Sequence, residues 1–240
     1  TTGAENTAIG AKTVANNTTA SYNTAVGSGS LEINTTGANN SAFGQAALYA
    51  NTTASNNTAV GYLALEENTT GSSNVAVGMR ALQENTTASY NTAVGYKALE
   101  DSTTATLNTA LGFEALRANT TSNYNTAVGA NALDAITTGS DYNAAFGTYA
   151  LTNLTTGTRS AAFGYNALAD ASTGGYNTGC GFFAGKGITT GTRNTAVGTE
   201  VLNGACSGND NTAVGSNSLK ANTTGGANTA VGSGALVANT

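Results

Sequence analysis

The sequence contains no proline, tryptophan or histidine, and only 9% of its 240 residues are charged. Without histidine, and with no nucleophile beside a base, the chain is predicted to be neither an enzyme nor the holder of a cofactor. A net charge of -5 without clustered Lys and Arg argues against nucleic acid as a partner. No apolar run is long enough for membrane insertion. The two cysteines are too few for a disulfide framework.

The abundant feature is a repeat, in which the phrase NTAVG-x-x-AL returns along the whole chain. The intervals are 17 residues, except for one of 18 between Asn125 and Asn143. The unit is N-T-A-V-G-x-x-A-L-x-x-N-T-T-G-x-x, and we number its places from the first Asn. The 14 starts are Asn6, Asn23, Asn40, Asn57, Asn74, Asn91, Asn108, Asn125, Asn143, Ser160, Asn177, Asn194, Asn211 and Asn228.

This unit predicts an all-β fold. A glycine at the fifth place, often another at the fifteenth, and β-branched Thr and Val between them all disfavour helices. Two short strands with their turns fit into 17 residues. We therefore predict a parallel β-solenoid of about 14 rungs, in one repeat domain over residues 1–240. At about 4.8 Å per rung, it would form a rod on the order of 65 Å long.

Two columns of hydrophobic residues form the predicted core. They occupy the fourth place, which is usually Val, and the ninth place, which is nearly always Leu. The third place is almost always Ala and the fifth is always Gly, which indicates either a tight corner or a closely approaching backbone. The predicted core residues are Val26, Leu31, Val60, Leu65, Val94, Leu99, Val128 and Leu133.

Three phrases, NTAVGYKAL, NTTGSSNVAVG and NSAFGQAAL, resemble the NTAVG-type repeats of phage and bacterial tail-fibre proteins. More distantly, they resemble the head repeats of trimeric autotransporter adhesins. The resemblance covers the whole chain and implies a fibre, commonly trimeric, that projects from a virion or cell surface and attaches to a target. The adhesin heads use a shorter repeat, so their handedness and trimer packing do not transfer directly.

Both ends of the chain stop within the repeat, at Thr1 and Thr240, without a capping sequence. An open rung presents unpaired backbone groups that recruit other strands. We therefore expect either a segment of a longer fibre or chains that stack end to end into a filament.

Two columns are candidates for binding. The carboxylates Glu67, Glu84 and Asp101 share one place in successive rungs, so calcium could relieve their repulsion; a solvated face neutralised by Arg80 and Lys97 is the alternative. A second column contains alternating tyrosine and arginine, which favours cation–π stacking. It is a candidate patch for recognising a cell-surface glycan, or else it stabilises the surface. Its residues are Tyr142, Arg159, Tyr176, Arg193 and the following Asp210.

One rung, NTGCGFFAGKGITTG at residues 177–191, departs from the pattern. It places Cys180 and Gly185 where the two core columns are expected, and then supplies Phe182 and Phe183. Either one phenylalanine turns inward to fill the lost volume, or the loop is reshaped for binding. A disulfide between Cys180 and Cys206 would require a thin coil.

Threonine pairs at the thirteenth and fourteenth places suggest another function, because regular threonine columns on a flat solenoid are typical of some ice-binding proteins. Adjacent strand residues point to opposite faces, so the pair is expected to supply only one outward column. The sequence thus predicts a non-enzymatic structural protein of an extracellular or virion-associated fibre or filament. Its expected partner is itself, as a trimer or end to end. The alternative is an ice-binding or carbohydrate-binding module.

Overall fold

The structure is a computed structural model that describes residues 2–239. Thr1 and Thr240, on which the prediction of open ends depends, lie outside the described residues. The chain divides into two compact units between Thr121 and Ser122, here called the N-terminal and C-terminal units. Both units are built from the same rung, and a single repeat domain over residues 1–240 stays a prediction.

Each unit is a parallel β-solenoid, as predicted, and residues 2–239 contain no helix. Every rung contributes one three-residue strand, which pairs in parallel with the strands of the neighbouring rungs of its unit. The expectation of two strands per rung is wrong, because repeated left-handed residues keep the rest of the rung from extending. The strands of the N-terminal unit are β1 (Thr7–Ile9), β2 (Thr24–Val26), β3 (Ser41–Phe43), β4 (Thr58–Val60), β5 (Val75–Val77), β6 (Thr92–Val94) and β7 (Thr109–Leu111). Those of the C-terminal unit are β8 (Thr126–Val128), β9 (Ala144–Phe146), β10 (Ala161–Phe163), β11 (Thr178–Cys180), β12 (Thr195–Val197), β13 (Thr212–Val214) and β14 (Thr229–Val231).

The strands occupy the second to fourth places, where β-branched residues favour extended backbone. Their register follows the repeat, so that Ala25 pairs with Ala8 on one side and Ala42 on the other. The rest of each rung is one long turn. That turn places the ninth-place leucines at positive φ, for example 51° at Leu31 and 52° at Leu65. Leucine rarely adopts this left-handed conformation, which costs about 1 kcal/mol per residue.

The core consists of alanines at the third and eighth places and leucines at the ninth. Leu31, Leu65, Leu99 and Leu133 are all 0% exposed, as the core prediction requires. From Ala25 onward the third-place alanines are also buried, because the interior is too thin for a larger side chain there. Gly179 replaces one of them, and a Cβ added at Gly179 would meet Leu168 Cγ at 2.8 Å.

The prediction that the fourth place belongs to the core is wrong. Val60 is 37% exposed, and Val26, Val94 and Val128 are only half-buried. Neighbouring strand residues point to opposite faces, so burying the third-place alanine turns the second and fourth places outward. The small residue, not the branched one, therefore marks the inside of this coil.

The fifth-place glycines settle how closely the rungs approach. Gly61 has a φ of 140°, and a Cβ added to it would clash with the carbonyl oxygen of Gly78 in the next rung. The other fifth-place glycines have φ values in the same left-handed range, for example 137° at Gly164. Of the two alternatives at this place, the closely approaching backbone is the one found.

The irregular rung is repacked by aliphatic residues. A Cβ added at Gly185 would meet Leu168 Cδ2 at 2.7 Å and Ile188 Cδ1 at 3.1 Å, so these two side chains fill the leucine place. Phe182 is exposed and packs edge-on against Phe183 at a centroid distance of 4.2 Å. The expectation that a phenylalanine replaces the lost core volume is therefore wrong, because Ile188 already occupies that space.

Candidate functional surfaces

Two asparagines of each regular rung hold the coil together from inside. In the fourth rung, the amides of Asn57 and Asn68 both donate to the carbonyl oxygen of Gly71, each at 2.9 Å. Asn68 Nδ2 also donates to Asn51 Oδ1 in the preceding rung at 3.0 Å. Both side chains are fully buried, and their amide groups are occupied by these bonds. These polar residues therefore serve the fold and are closed to ligands.

This amide ladder differs between the two units. In the N-terminal unit it runs along the twelfth place from Asn34 through Asn51 and Asn68 to Asn85. It stops at Ser102, where Asn85 Oδ1 and Ser102 Oγ are both buried without a hydrogen-bond partner. The C-terminal unit places apolar residues at four successive twelfth places: Ile136, Leu154, Ala171 and Ile188, all 0% exposed.

The two threonines of each pair have different surroundings: the thirteenth-place hydroxyl is bonded between rungs, and the fourteenth-place side chain is exposed. At the thirteenth place, Thr35 Oγ1 donates to the carbonyl oxygen of Thr52 in the next rung at 2.9 Å, and Thr52 repeats the bond to Thr69 at 3.0 Å. At the fourteenth place, threonines such as Thr53, Thr70 and Thr87 are exposed. The prediction of one outward column from the pair is confirmed, since the other hydroxyl is used between rungs.

The carboxylate column is present on the surface of the N-terminal unit. Burial raises the pKa of Glu84, and the charges of Asp101, Glu67 and Glu100 raise it further. Arg80 and Lys97 each pair with the neighbouring Glu100, at 3.3 Å and 3.1 Å. Among residues 2–239, no group of three or more His, Cys, Asp or Glu side chains is placed to hold a metal ion. The calcium hypothesis for Glu67, Glu84 and Asp101 thus has no supporting geometry.

The tyrosine–arginine column stacks as the sequence suggested around Arg159, but within residues 2–239 no cation–π contact joins Arg193 to Tyr176. The Arg159 guanidinium lies 5.3 Å from the ring centre of Tyr142 and 5.4 Å from that of Tyr176, and it donates to the Tyr176 hydroxyl at 3.0 Å. Sequence reasoning missed Tyr124, whose ring stacks on Tyr142 at 4.9 Å with an interplanar angle of 5°. The 18-residue interval conceals this alignment in the sequence.

The stacking within this column uses the surfaces that a sugar would need. One face of Tyr142 lies against Tyr124 and the other against Arg159. Arg193 is engaged by Asp210 through two bonds, at 2.6 and 2.9 Å, which lower the pKa of the Asp210 carboxyl. Because both faces of Tyr142 and the Arg193 guanidinium are already engaged, the arrangement favours surface stabilisation over sugar stacking.

A different surface was missed by sequence reasoning: the side chains of the second, fourth and sixth places, which we call the sheet face. None of the 8 Lys and Arg or the 13 Asp and Glu residues occupies these places in any rung. The face is rich in exposed apolar groups, including Met79 at 42% and Phe113 at 49% exposure. The available signal in the sequence was that the second, fourth and sixth places never carry a charged residue.

The described cysteines are both free. Cys180 is exposed at the fourth place of its rung, while Cys206 is buried. The backbone of Cys206 forms an isolated parallel β-bridge with that of Ile188, a twelfth-place residue. Cys206 is thus shifted by one residue from the thirteenth place that the repeat assigns to it. Burial raises the pKa of its thiol. The disulfide hypothesis is wrong, because one sulfur faces outward and the other inward.

No pocket is detected in the described part of the chain. Within residues 2–239, no helix has the length and apolar character needed to cross a bilayer. No family model matches this sequence, and no match is found among curated proteins or solved structures.

Proposed function

We propose that this protein is a non-enzymatic structural element, a shaft segment of an extracellular or virion-associated fibre or filament. The observation that carries the proposal is the use of interior polar groups. Buried amides and threonine hydroxyls join one rung to the next or close a rung on itself, as Asn68 and Thr52 do. Side chains that would otherwise supply binding chemistry are occupied in holding the stack together.

The mechanism is mechanical. Backbone bonds between strands, the side-chain amides and the threonine hydroxyls act in parallel between the same two rungs. Each bond contributes only about 0.5–1.5 kcal/mol net, but a rung must break several of them together to detach. Resistance to pulling therefore comes from repetition, without a metal or a disulfide. The resemblance to tail-fibre repeats supports a location outside the cell or on a virion.

Single-molecule stretching tests this role. If rungs detach one at a time, each event releases 17 residues, or about 55–60 Å of extended chain. We expect a series of equal steps of that size, and elongated particles of uniform width by electron microscopy. Compact particles, or a single low-force extension without steps, would overturn the proposal.

Ice binding is a second candidate, supported by the exposed fourteenth-place threonines of successive rungs, such as Thr53, Thr70 and Thr87. Thermal hysteresis of a freezing solution measures it directly. Hysteresis that is lost when Thr70 and Thr87 are replaced by lysine would favour this function over the fibre. Its absence in the unmodified chain would remove the candidate.

A further inference from the structure

The sheet face is unusual for a parallel sheet. Parallel sheets are normally covered on both faces, yet here only the inner face is covered, by the leucine column. In the N-terminal unit, the exposed large apolar side chains of the fourth and sixth places are Ile9, Phe43, Val60, Tyr62, Met79, Tyr96, Leu111 and Phe113. Contiguous exposed apolar patches beyond a few hundred Å² mark interaction sites.

We propose that the sheet face is buried against the sheet face of a second copy of this chain. The inference rests on the proposed fibre role and deepens it by naming the surface through which copies associate side by side. Three observations identify the partner: the absence of charge, the apolar area and the spacing of the rungs.

The absence of charge limits the chemistry of the partner. All 21 charged side chains (8 basic and 13 acidic) lie at other places of the rung. A highly charged partner would find no opposite charge on this face and would lose hydration on docking. A partner surface that is equally free of charge needs no opposite charge and loses no charge hydration on docking. The sheet face of a second copy of this chain is such a surface.

The apolar area is close to what a stable association needs. One aromatic side chain offers about 150–250 Å² for burial. The eight large side chains of the N-terminal unit are partly exposed, between 37% and 61%, so they offer roughly 600 Å² together. The half-buried valines and the second-place threonines add to this. Stable interfaces bury about 800 Å² per partner.

The spacing of the rungs favours a second copy over an unrelated protein. The fourth-place and sixth-place side chains form two ridges on either side of the glycine column, and each ridge repeats once per rung. For example, Val60, Val77 and Val94 follow one another at 17-residue intervals along paired strands. A second copy has ridges with the same period, so a match at one rung is repeated at the next.

Charge placed on this face tests the inference. The variant Val60→Lys/Met79→Lys/Tyr96→Lys adds three charges to the sheet face of consecutive rungs. The matched control, Thr70→Lys/Thr87→Lys/Thr104→Lys, adds the same charges at exposed fourteenth places of the same rungs. Sedimentation velocity over a wide concentration range measures mass, and circular dichroism checks the fold of each variant.

We expect the unmodified chain and the control to sediment as a multiple of 23.6 kDa, and the sheet-face variant as a folded monomer. The thiol of Cys180, exposed at a fourth place of the C-terminal unit, should react with iodoacetamide more slowly as the concentration of the unmodified chain rises. A monomeric unmodified chain, or a sheet-face variant that keeps the same mass, would overturn the inference.

The failures of the two proposals are distinguishable. If the sheet-face variant remains assembled while stretching still gives equal steps, the fibre role stands and copies associate through another surface. If the variant becomes monomeric but stretching gives no steps, the sheet face is an interface and the shaft role is wrong. Should the sheet-face variant fail to fold, the unmodified chain decides alone: a monomer at every concentration, or a Cys180 thiol that reacts as fast in the associated form as in the monomer, contradicts the inference.

Discussion

The two units support the same rung with different interiors. In the N-terminal unit the twelfth place carries a chain of buried amides from Asn34 to Asn85, whereas in the first four rungs of the C-terminal unit it carries Ile136, Leu154, Ala171 and Ile188. In some of these rungs a first-place asparagine still serves the same carbonyl. Asn143 Nδ2, for example, still donates to Gly157 at 3.0 Å. The rung that starts at Ser160 has an amide at neither place, since its twelfth residue is Ala171, so neither amide of the pair is required in every rung.

The largest expected loss of stability is at the contact between fifth-place glycines, which both units share. Gly61→Ala in the N-terminal unit and Gly164→Ala in the C-terminal unit should each cost at least about 3 kcal/mol, because a strained φ is combined with a backbone clash. Gly139→Ala is the control: its φ is 69° but no atom lies within 4 Å of the added Cβ. Its cost should be about 1 kcal/mol.

Amide hydrogen exchange combined with urea unfolding measures these costs in each unit separately. Equal costs at Gly61 and Gly164 would confirm that the backbone contact is independent of the interior. A much smaller cost in one unit would mean that its rungs can separate, and the comparison between the units would then extend to the backbone.

The next largest effect is expected when an amide of the N-terminal type is placed in the apolar column of the C-terminal unit. Leu154→Asn places an amide between Ile136 and Ala171, in a column without amide neighbours, and removes a fully buried leucine. We expect a loss of about 2–5 kcal/mol, since burial of apolar surface is lost and the new amide finds few partners. Leu154→Met is the control that keeps the volume. Equal stability of the Asn and Met variants, measured by urea unfolding, would contradict the division into two kinds of interior.

A smaller, stabilising effect should complete the amide ladder of the N-terminal unit. Ser102→Asn places a donor next to Asn85 Oδ1, which is buried without a partner. The gain should be about 1 kcal/mol, the net value of one buried hydrogen bond. Ser102→Ala is the control and should bring no such gain. A destabilised Ser102→Asn variant, again by urea unfolding, would mean that the column is too narrow for a fifth successive amide.

The smallest effect is electrostatic and belongs to the surface of the N-terminal unit. Because the pKa of Glu84 is raised in the folded state, the folded chain binds more protons than the unfolded chain just above pH 4.5. Stability should therefore decrease as pH rises through that window. Glu84→Gln should remove this slope and stabilise the chain at neutral pH by less than about 1 kcal/mol, since the site is exposed.

The control for this slope is Glu5→Gln, which removes the same charge outside the carboxylate column. Stability is measured by urea unfolding at successive pH values, at low and high salt. The slope should shrink at high salt because the repulsion is screened. A slope that persists in Glu84→Gln would assign the pH dependence to other groups.

Much of the fold follows from the repeat. The 17-residue interval and the β-branched residues beside each glycine predicted the parallel solenoid, and the leucines predicted one core column. The stacking of Tyr142, Arg159 and Tyr176 was also recovered, because residues one rung apart lie next to each other. The sheet face and the position of Cys206 were not recovered. Both depend on the direction of each side chain, and spacing alone does not state which of two alternating sets faces inward.

The sequence by itself determined the length of the rung, its β character and the neighbours along each column, because these depend only on period and composition. The tertiary structure alone decided that alanine, and not valine, faces inward, and that Cys206 moves into the buried column. The physical reason is closure of the coil. The left-handed turns at residues such as Leu31 and the close glycine contacts leave an interior only wide enough for alanine opposite leucine.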